Sequence, residues 1–122
     1  MRAGAVPGVD VTLSERAGHV VVTLRGEIDV ITAAADVGAF MASVWSGSRI
    51  VLDLAELTFM DCGSLRELVS ARAQARRAGG DLVLAGPQPI VLRLLSITEM
   101  FGLCQVFASV HDAAGGADSA SA

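Results

Sequence analysis

The chain has 122 residues, enough for one domain and short for two. Hydrophobic residues make up 52% of it and charged residues only 18%, which excludes a disordered chain and a coiled coil. Nine basic residues against thirteen acidic ones leave a net charge of −4, the wrong sign for a surface built to neutralise nucleic-acid phosphates.

Residues 1–8 hold one cation and no apolar core, so they read as an N-terminal extension and not as a secretory signal. No run of about 18 uncharged apolar residues exists, so no membrane insertion and a cytoplasmic location are expected. Val9, Val11 and Leu13 alternate with polar residues, Ala17-Gly18 supplies a turn, and Val20, Val22 and Leu24 resume the alternation. The two runs predict a hairpin ending near Gly26. After Gly26-Glu27-Ile28-Asp29, the three- and four-residue spacing of Val37, Phe40, Met41, Val44 and Trp45 predicts a helix, with Thr32 as N-cap and Ser46-Gly47-Ser48 as its stop. Arg49 to Leu54 is too short and too β-branched for a helix and reads as a strand buried on both faces. A loop is expected from Ala55 to Asp61.

Leu65, Leu68 and Val69 begin a second helix, which runs to Ala78 and ends at Gly79-Gly80. Asp81 to Ala85 reads as another short strand. Pro87-Gln88-Pro89 opens a third helix with Ile90, Val91, Leu94 and Leu95 facing inward, Gly102 ends it, and Cys104 to Ala108 is a weak last strand. The predicted order is β-β-α-β-α-β-α-β. It is an α/β fold whose mixed sheet starts with an antiparallel hairpin and continues with parallel strands joined by right-handed crossovers. Residues 9–111 form the domain. Residues 112–122, rich in Ala, Gly and Ser, have nothing large to bury and read as a flexible tail.

Small polar residues concentrate at two strand ends, Gly26 to Asp29 and Thr58 to Leu65. In an open α/β sheet, sites form outside the carboxyl ends of parallel strands. The start of the second helix lies there, with its free N–H groups and positive dipole end. Asp61 is placed to cap that helix. Asp29 and Asp61 form a potential carboxylate pair, but acid–base work needs a pocket and a third group that the sequence does not supply. Cys62, near a helix N-terminus, is a candidate reactive thiol or nucleophile, without a His base nearby in sequence. A Cys62–Cys104 disulfide would need close Cα atoms, which this topology opposes. Two His, neither beside a cysteine, are too few for a structural zinc site, so no metal or cofactor is expected. His19 and His111 read as surface residues. All nine cations are arginine, and Arg66, Arg72, Arg76 and Arg77 cluster on the second helix, either as a solvated face or as a surface for an acidic partner.

The chain resembles STAS domains, and more narrowly the single-domain bacterial anti-sigma factor antagonists. The resemblance rests on Gly26-Glu27-Ile28-Asp29, on Ile50-Val51-Leu52-Asp53-Leu54 with Thr58-Phe59-Met60-Asp61, on Ala78-Gly79-Gly80-Asp81-Leu82-Val83-Leu84, and on Pro89-Ile90-Val91-Leu92-Arg93-Leu94-Leu95. It covers about residues 9–111. It implies a non-enzymatic transcription regulator that docks on an anti-sigma factor, often a histidine-kinase-like ATPase, and so frees a sigma factor. The implied partner-binding residues are Asp29, Phe59, Met60, Asp61, Cys62, Gly63, Ser64 and Arg66.

The family's phosphorylated segment reads Asp-Ser-Ser/Thr-Gly-Leu, and a phosphate there adds about −1.5 to −2 charge to the contact surface. This sequence instead reads Asp61-Cys62-Gly63-Ser64-Leu65. Only Ser64 is left as an acceptor, rotated by about 100° on the helix. Loss of the hydroxyl pair leaves a second expectation open, a scaffold or subunit of a signalling or lipid-transport assembly that is not phosphorylated.

Overall fold

The computed structural model describes residues 2–6, 9–16, 18–29, 37, 49–98 and 101–116. Six strands form one sheet in sequential order: β1 (Arg2–Val6), β2 (Val9–Arg16), β3 (His19–Ile28), β4 (Arg49–Met60), β5 (Asp81–Ala85) and β6 (Val106–Phe107). β1, β2 and β3 are antiparallel, and β3 to β6 are parallel. The helices are α1 (Cys62–Arg77) and α2 (Pro89–Ile97), with a 3-10 turn at Phe101–Leu103 and a π-helical turn at Asp112–Gly116. No described helix is long and apolar enough to cross a membrane.

The mixed sheet and its packed helices are those the sequence predicts. The β2–β3 hairpin turns through Gly18, whose φ of 82° suits glycine. Val20, Val22 and Leu24 join Ile50, Leu52, Leu82 and Leu84 on one face, beneath Leu65 and Leu68 of α1 and Val91 and Leu95 of α2. Crossovers that advance in one direction and share one hand put their helices on the same face. Val37 is fully buried in this core; the rest of the helix expected around Phe40, Met41, Val44 and Trp45, with its cap Thr32, lies outside the described residues.

The opposite face is divided. Val21, Val51, Val83 and Ala85 form a smaller core closed by Phe107, Val110 and Ala113. Further toward β2 the face is polar, centred on Arg25. Its guanidinium pairs with Glu56 at 2.8 Å and Asp10 at 3.8 Å and donates to the Thr12 hydroxyl at 3.4 Å.

Four expectations change. β1 adds a strand within the predicted extension; Arg-Ala-Gly-Ala-Val has no apolar alternation to reveal it, and pairing with β2 defines it. The loop expected from Ala55 to Asp61 is strand as far as Met60, because β4 continues along β3 through two bulges. The third helix stops at Ile97, with Thr98 as its C-cap, and Ile90 faces out instead of in. The tail is not wholly free: Asp112–Gly116 is helical, and Ala113 is buried with its carbonyl accepting from both Nε and Nη2 of Arg49 at 3.2 and 3.0 Å.

Candidate functional site

The site is built by the parallel pairing of β3 with β4. Their register starts at His19↔Arg49 and ends at Ile28↔Met60. Between Thr23 and Arg25 of β3, and again between Gly26 and Glu27, β4 carries one extra residue. Each bulge bends the strand and frees backbone groups that need partners. The Asp53 carboxylate accepts from the Ala55 N–H at 3.1 Å, and Gln88 Nε2 donates to the Ala55 carbonyl at 2.8 Å. At the second bulge the unpaired residue is Thr58, whose hydroxyl donates to the Gly26 carbonyl at 2.9 Å. Gly26 has φ 98°, a conformation open to glycine at little cost.

β5 ends opposite Asp53, while β3 continues five residues beyond Thr23. At about 3.3 Å per residue, the β3–β4 pair extends roughly 16 Å past the rest of the parallel sheet. Asp29 and Asp61 each lie one residue beyond the last pair of this extension. They are therefore neighbours on one rim. Asp61 caps α1, its Oδ1 accepting from the Ser64 N–H at 2.7 Å, while its carbonyl accepts from the Leu65 N–H at 3.1 Å. The carboxylate also complements the positive end of the helix.

Strand and helix periodicity decide which rim side chains face outward. Ile28 and Met60 are opposite one another and buried, so Glu27 and Phe59, one residue earlier, are exposed; Phe59 is 40% exposed. On α1, Cys62 and Arg66 are one turn apart on the solvent side. Ser64 and Leu65 turn inward and are fully buried.

Two of the expected partner-binding residues, Met60 and Ser64, are buried in this geometry. Met60 anchors the rim from below and offers no surface. Ser64 has no exposed atom, and its hydroxyl makes no hydrogen bond among the described residues. Transfer of a phosphoryl group to that oxygen would require the helix start to open. The outward set is Asp29, Phe59, Asp61, Cys62, Gly63 and Arg66. The sequence reading placed Glu27 and Thr58 in the two polar strand ends but not among the partner-binding residues; the one-in-two alternation past Gly26 signals that Glu27 faces out, but nothing local signals the bulge that places Thr58.

The cysteines are far apart in environment. Both are free, Cys62 exposed and Cys104 buried. Burial raises the Cys104 thiol pKa above its ordinary 9.0, partly offset by Arg72, with Asp81 adding to the rise. Arg72 spans this region, facing the Asp81 carboxylate at 3.2 Å and donating to the Leu103 carbonyl at 3.1 Å. His19 stands at the start of β3, opposite the rim, so it supplies no base to Cys62 or to the aspartates.

A family model for the STAS domain matches residues 10–113. Among solved structures, an anti-sigma factor antagonist from Mycobacterium paratuberculosis superposes with a TM-score of 0.79 at 19% identity, covering 92% of this chain and 97% of that one. The Bacillus cell fate determinant SpoIIAA, in its phosphorylated form, gives 0.60 at 19% identity over 79% of this chain and 89% of the other. The murine solute carrier 26 family member A9 anion transporter gives 0.73 at 19% identity; 87% of this chain matches 18% of the transporter. At these identities the likeness is one of fold.

Proposed function

The chain belongs to the STAS domain family, and from that footing we propose that it is an anti-sigma factor antagonist. It docks its rim on an anti-sigma factor of the histidine-kinase-like ATPase type, frees a sigma factor in the bacterial cytoplasm, and catalyses nothing itself. The observation that carries this reading is the adjacency of Asp29 and Asp61 at the ends of β3 and β4, with Phe59, Cys62 and Arg66 facing outward beside them. A preformed rim of one aromatic side chain, two carboxylates and a guanidinium loses little conformational entropy on docking. An aromatic and an arginine are also the side chains that most often anchor protein interfaces. The Mycobacterium paratuberculosis protein that shares this fold is an anti-sigma factor antagonist.

The test mixes the full chain with each anti-sigma factor of its source organism and measures sigma release. Release by the wild type and its loss in Phe59→Ala support the reading; failure to bind any of them defeats it.

One observation favours a second reading. With Cys62 exposed, Gly63 lacking a side chain and Ser64 buried, the rim differs from one switched by a kinase. A scaffold or subunit in a signalling or transport assembly would need no such switch. Intact mass of the protein isolated from cells separates the two: a phosphoryl adduct favours kinase control, and an unmodified mass with binding to a non-kinase assembly favours the scaffold.

A further inference from the structure

The arginines of α1 do not stay together. Arg66 stands at the rim, while Arg72, Arg76 and Arg77, in the second half of the helix, lie at the opposite end of the molecule, where Gly79-Gly80 leads into β5. A row of cations from the sheet meets them there. Arg16 of β2 pairs in register with His19 of β3, and His19 with Arg49 of β4. Directly opposed residues share a face of a sheet, so an imidazole lies between two guanidiniums at about 4.8 Å per strand. Asp81 is next in the row, opposite Arg49, but its carboxylate is turned to α1, where it faces Arg72 at 3.2 Å and Arg76 at 3.5 Å. Arg49 holds only the neutral Ala113 carbonyl and the Phe107 ring. Arg16 and Arg77 are exposed and make no ion pair or hydrogen bond among the described residues. Two further acids are near. Strand alternation puts Glu15 on the other face from Arg16, and Asp112 of the closing turn makes no ion pair among the described residues. In a chain with 13 acidic residues against 9 basic ones, these arginines therefore share the one paired carboxylate of Asp81.

The missing counter-charge selects the occupant. A guanidinium without a carboxylate forms its strongest hydrogen bonds with an anion supplied from outside. The row from β2 to β5 spans about 14 Å. A nucleic acid or a bilayer would run well past it, by more than the Debye length of about 8 Å, and meet the acidic remainder of a chain whose net charge is −4. An extended peptide covers the same distance in about four residues and ends with the patch. We propose that the cationic end formed by Arg16, His19, Arg49, Arg76 and Arg77 docks a short extended segment of a partner protein that carries carboxylates along one side. The surface lies at the other end of the molecule from the rim and does not depend on the antagonist reading. Complementary charge supplies both the attraction and the choice of partner.

The probe is a capped peptide of about eight residues in which glutamate alternates with serine, titrated into the isotope-labelled full chain and followed by amide NMR. A second peptide carries lysines in place of the glutamates. The glutamate peptide should shift amides of residues 15–20, 49–50 and 76–81 and bind less tightly as salt is raised, and the lysine peptide should bind about tenfold more weakly. Arg16→Glu and Arg77→Glu, both at exposed positions without partners, should together weaken the glutamate peptide about tenfold with unchanged thermal stability. Arg93→Glu, exposed on α2, makes the same change of charge elsewhere and should leave the affinity as it was. Equal binding of the two peptides, an equal loss with Arg93→Glu, or shifts centred on residues 26–29 and 58–66 would overturn the proposal. So would tighter binding of duplex DNA or of anionic vesicles than of the glutamate peptide, or self-association of the chain that Arg16→Glu abolishes, since the occupant would then be a nucleic acid, a lipid surface or the rim of a second copy.

Discussion

Asp61 combines two roles in one side chain. Its Oδ1 closes the first turn of α1, and its position places a carboxylate on the rim beside Asp29. Asp61→Ala should therefore cost about 0.5–2 kcal/mol by urea denaturation, whereas Asp61→Asn should retain most of that stability and change only the charge of the rim. Comparing the two variants for partner binding separates capping from recognition. The cysteines make a second pair of residue-scale predictions. Cys62 should react with a thiol reagent in the native protein and Cys104 only after unfolding, since one is exposed and the other buried. The raised Cys104 pKa gives a sign to the alkaline limb of stability. The unfolded thiol ionises near 9.0 and the native one at higher pH, so its contribution is intact below 9.0 and falls as pH rises through the native value. Cys104→Ala should flatten that part of the stability curve relative to wild type, whatever it costs at neutral pH. The sequence shows that a thiol occupies position 62; that Ser64 is buried follows only from the rotation of the helix against the core.

At the scale of elements, α1 and β4 show opposite degrees of legibility. The end of α1 is written locally. Gly79, with φ 89°, lets its N–H reach the Arg76 carbonyl at 3.1 Å and the Gly80 N–H reach the Ala75 carbonyl at 2.9 Å. This pair of bonds is the Schellman arrangement, which favours glycine at this position. An added Cβ at Gly79 would meet nothing within 4 Å, so Gly79→Ala should cost only the positive-φ penalty, about 1 kcal/mol by chemical denaturation. The second half of β4 is different. Leu54, Leu57 and Met60 are buried at three-residue intervals, which match neither a strand nor a helix in sequence. Two bulges against β3 produce that spacing, and bulges are a property of pairing, invisible in one strand alone. Thr58→Val should loosen the second bulge by removing the bond to the Gly26 carbonyl. Faster amide exchange confined to residues 26–29 and 57–61 would show it; unchanged protection there would count against the bulge as the rim's support.

For the whole molecule, the last described turn closes the second face of the sheet. Ala113 fills the small core of Val21, Val51 and Val83, and Arg49 holds its carbonyl while lying 5.7 Å from the Phe107 ring centroid. Removing residues 112–122 should expose these valines and strip Arg49 of its acceptor. A loss of about 2 kcal/mol is expected, which corresponds to roughly 5–10 °C in Tm for a domain of this size. A truncated chain that melts with the full one would show that this turn does not support the sheet. The sequence by itself determined the order of the central elements, the hairpin, the parallel strands and the helix cap, because each follows from local periodicity or from a single turn or capping residue. Tertiary structure alone decided that β1 exists, that β4 runs on to Met60, that Ala113 is buried and that Asp29 meets Asp61. Each of these depends on hydrogen bonds or contacts between segments far apart in the chain, and no window of neighbouring residues records them.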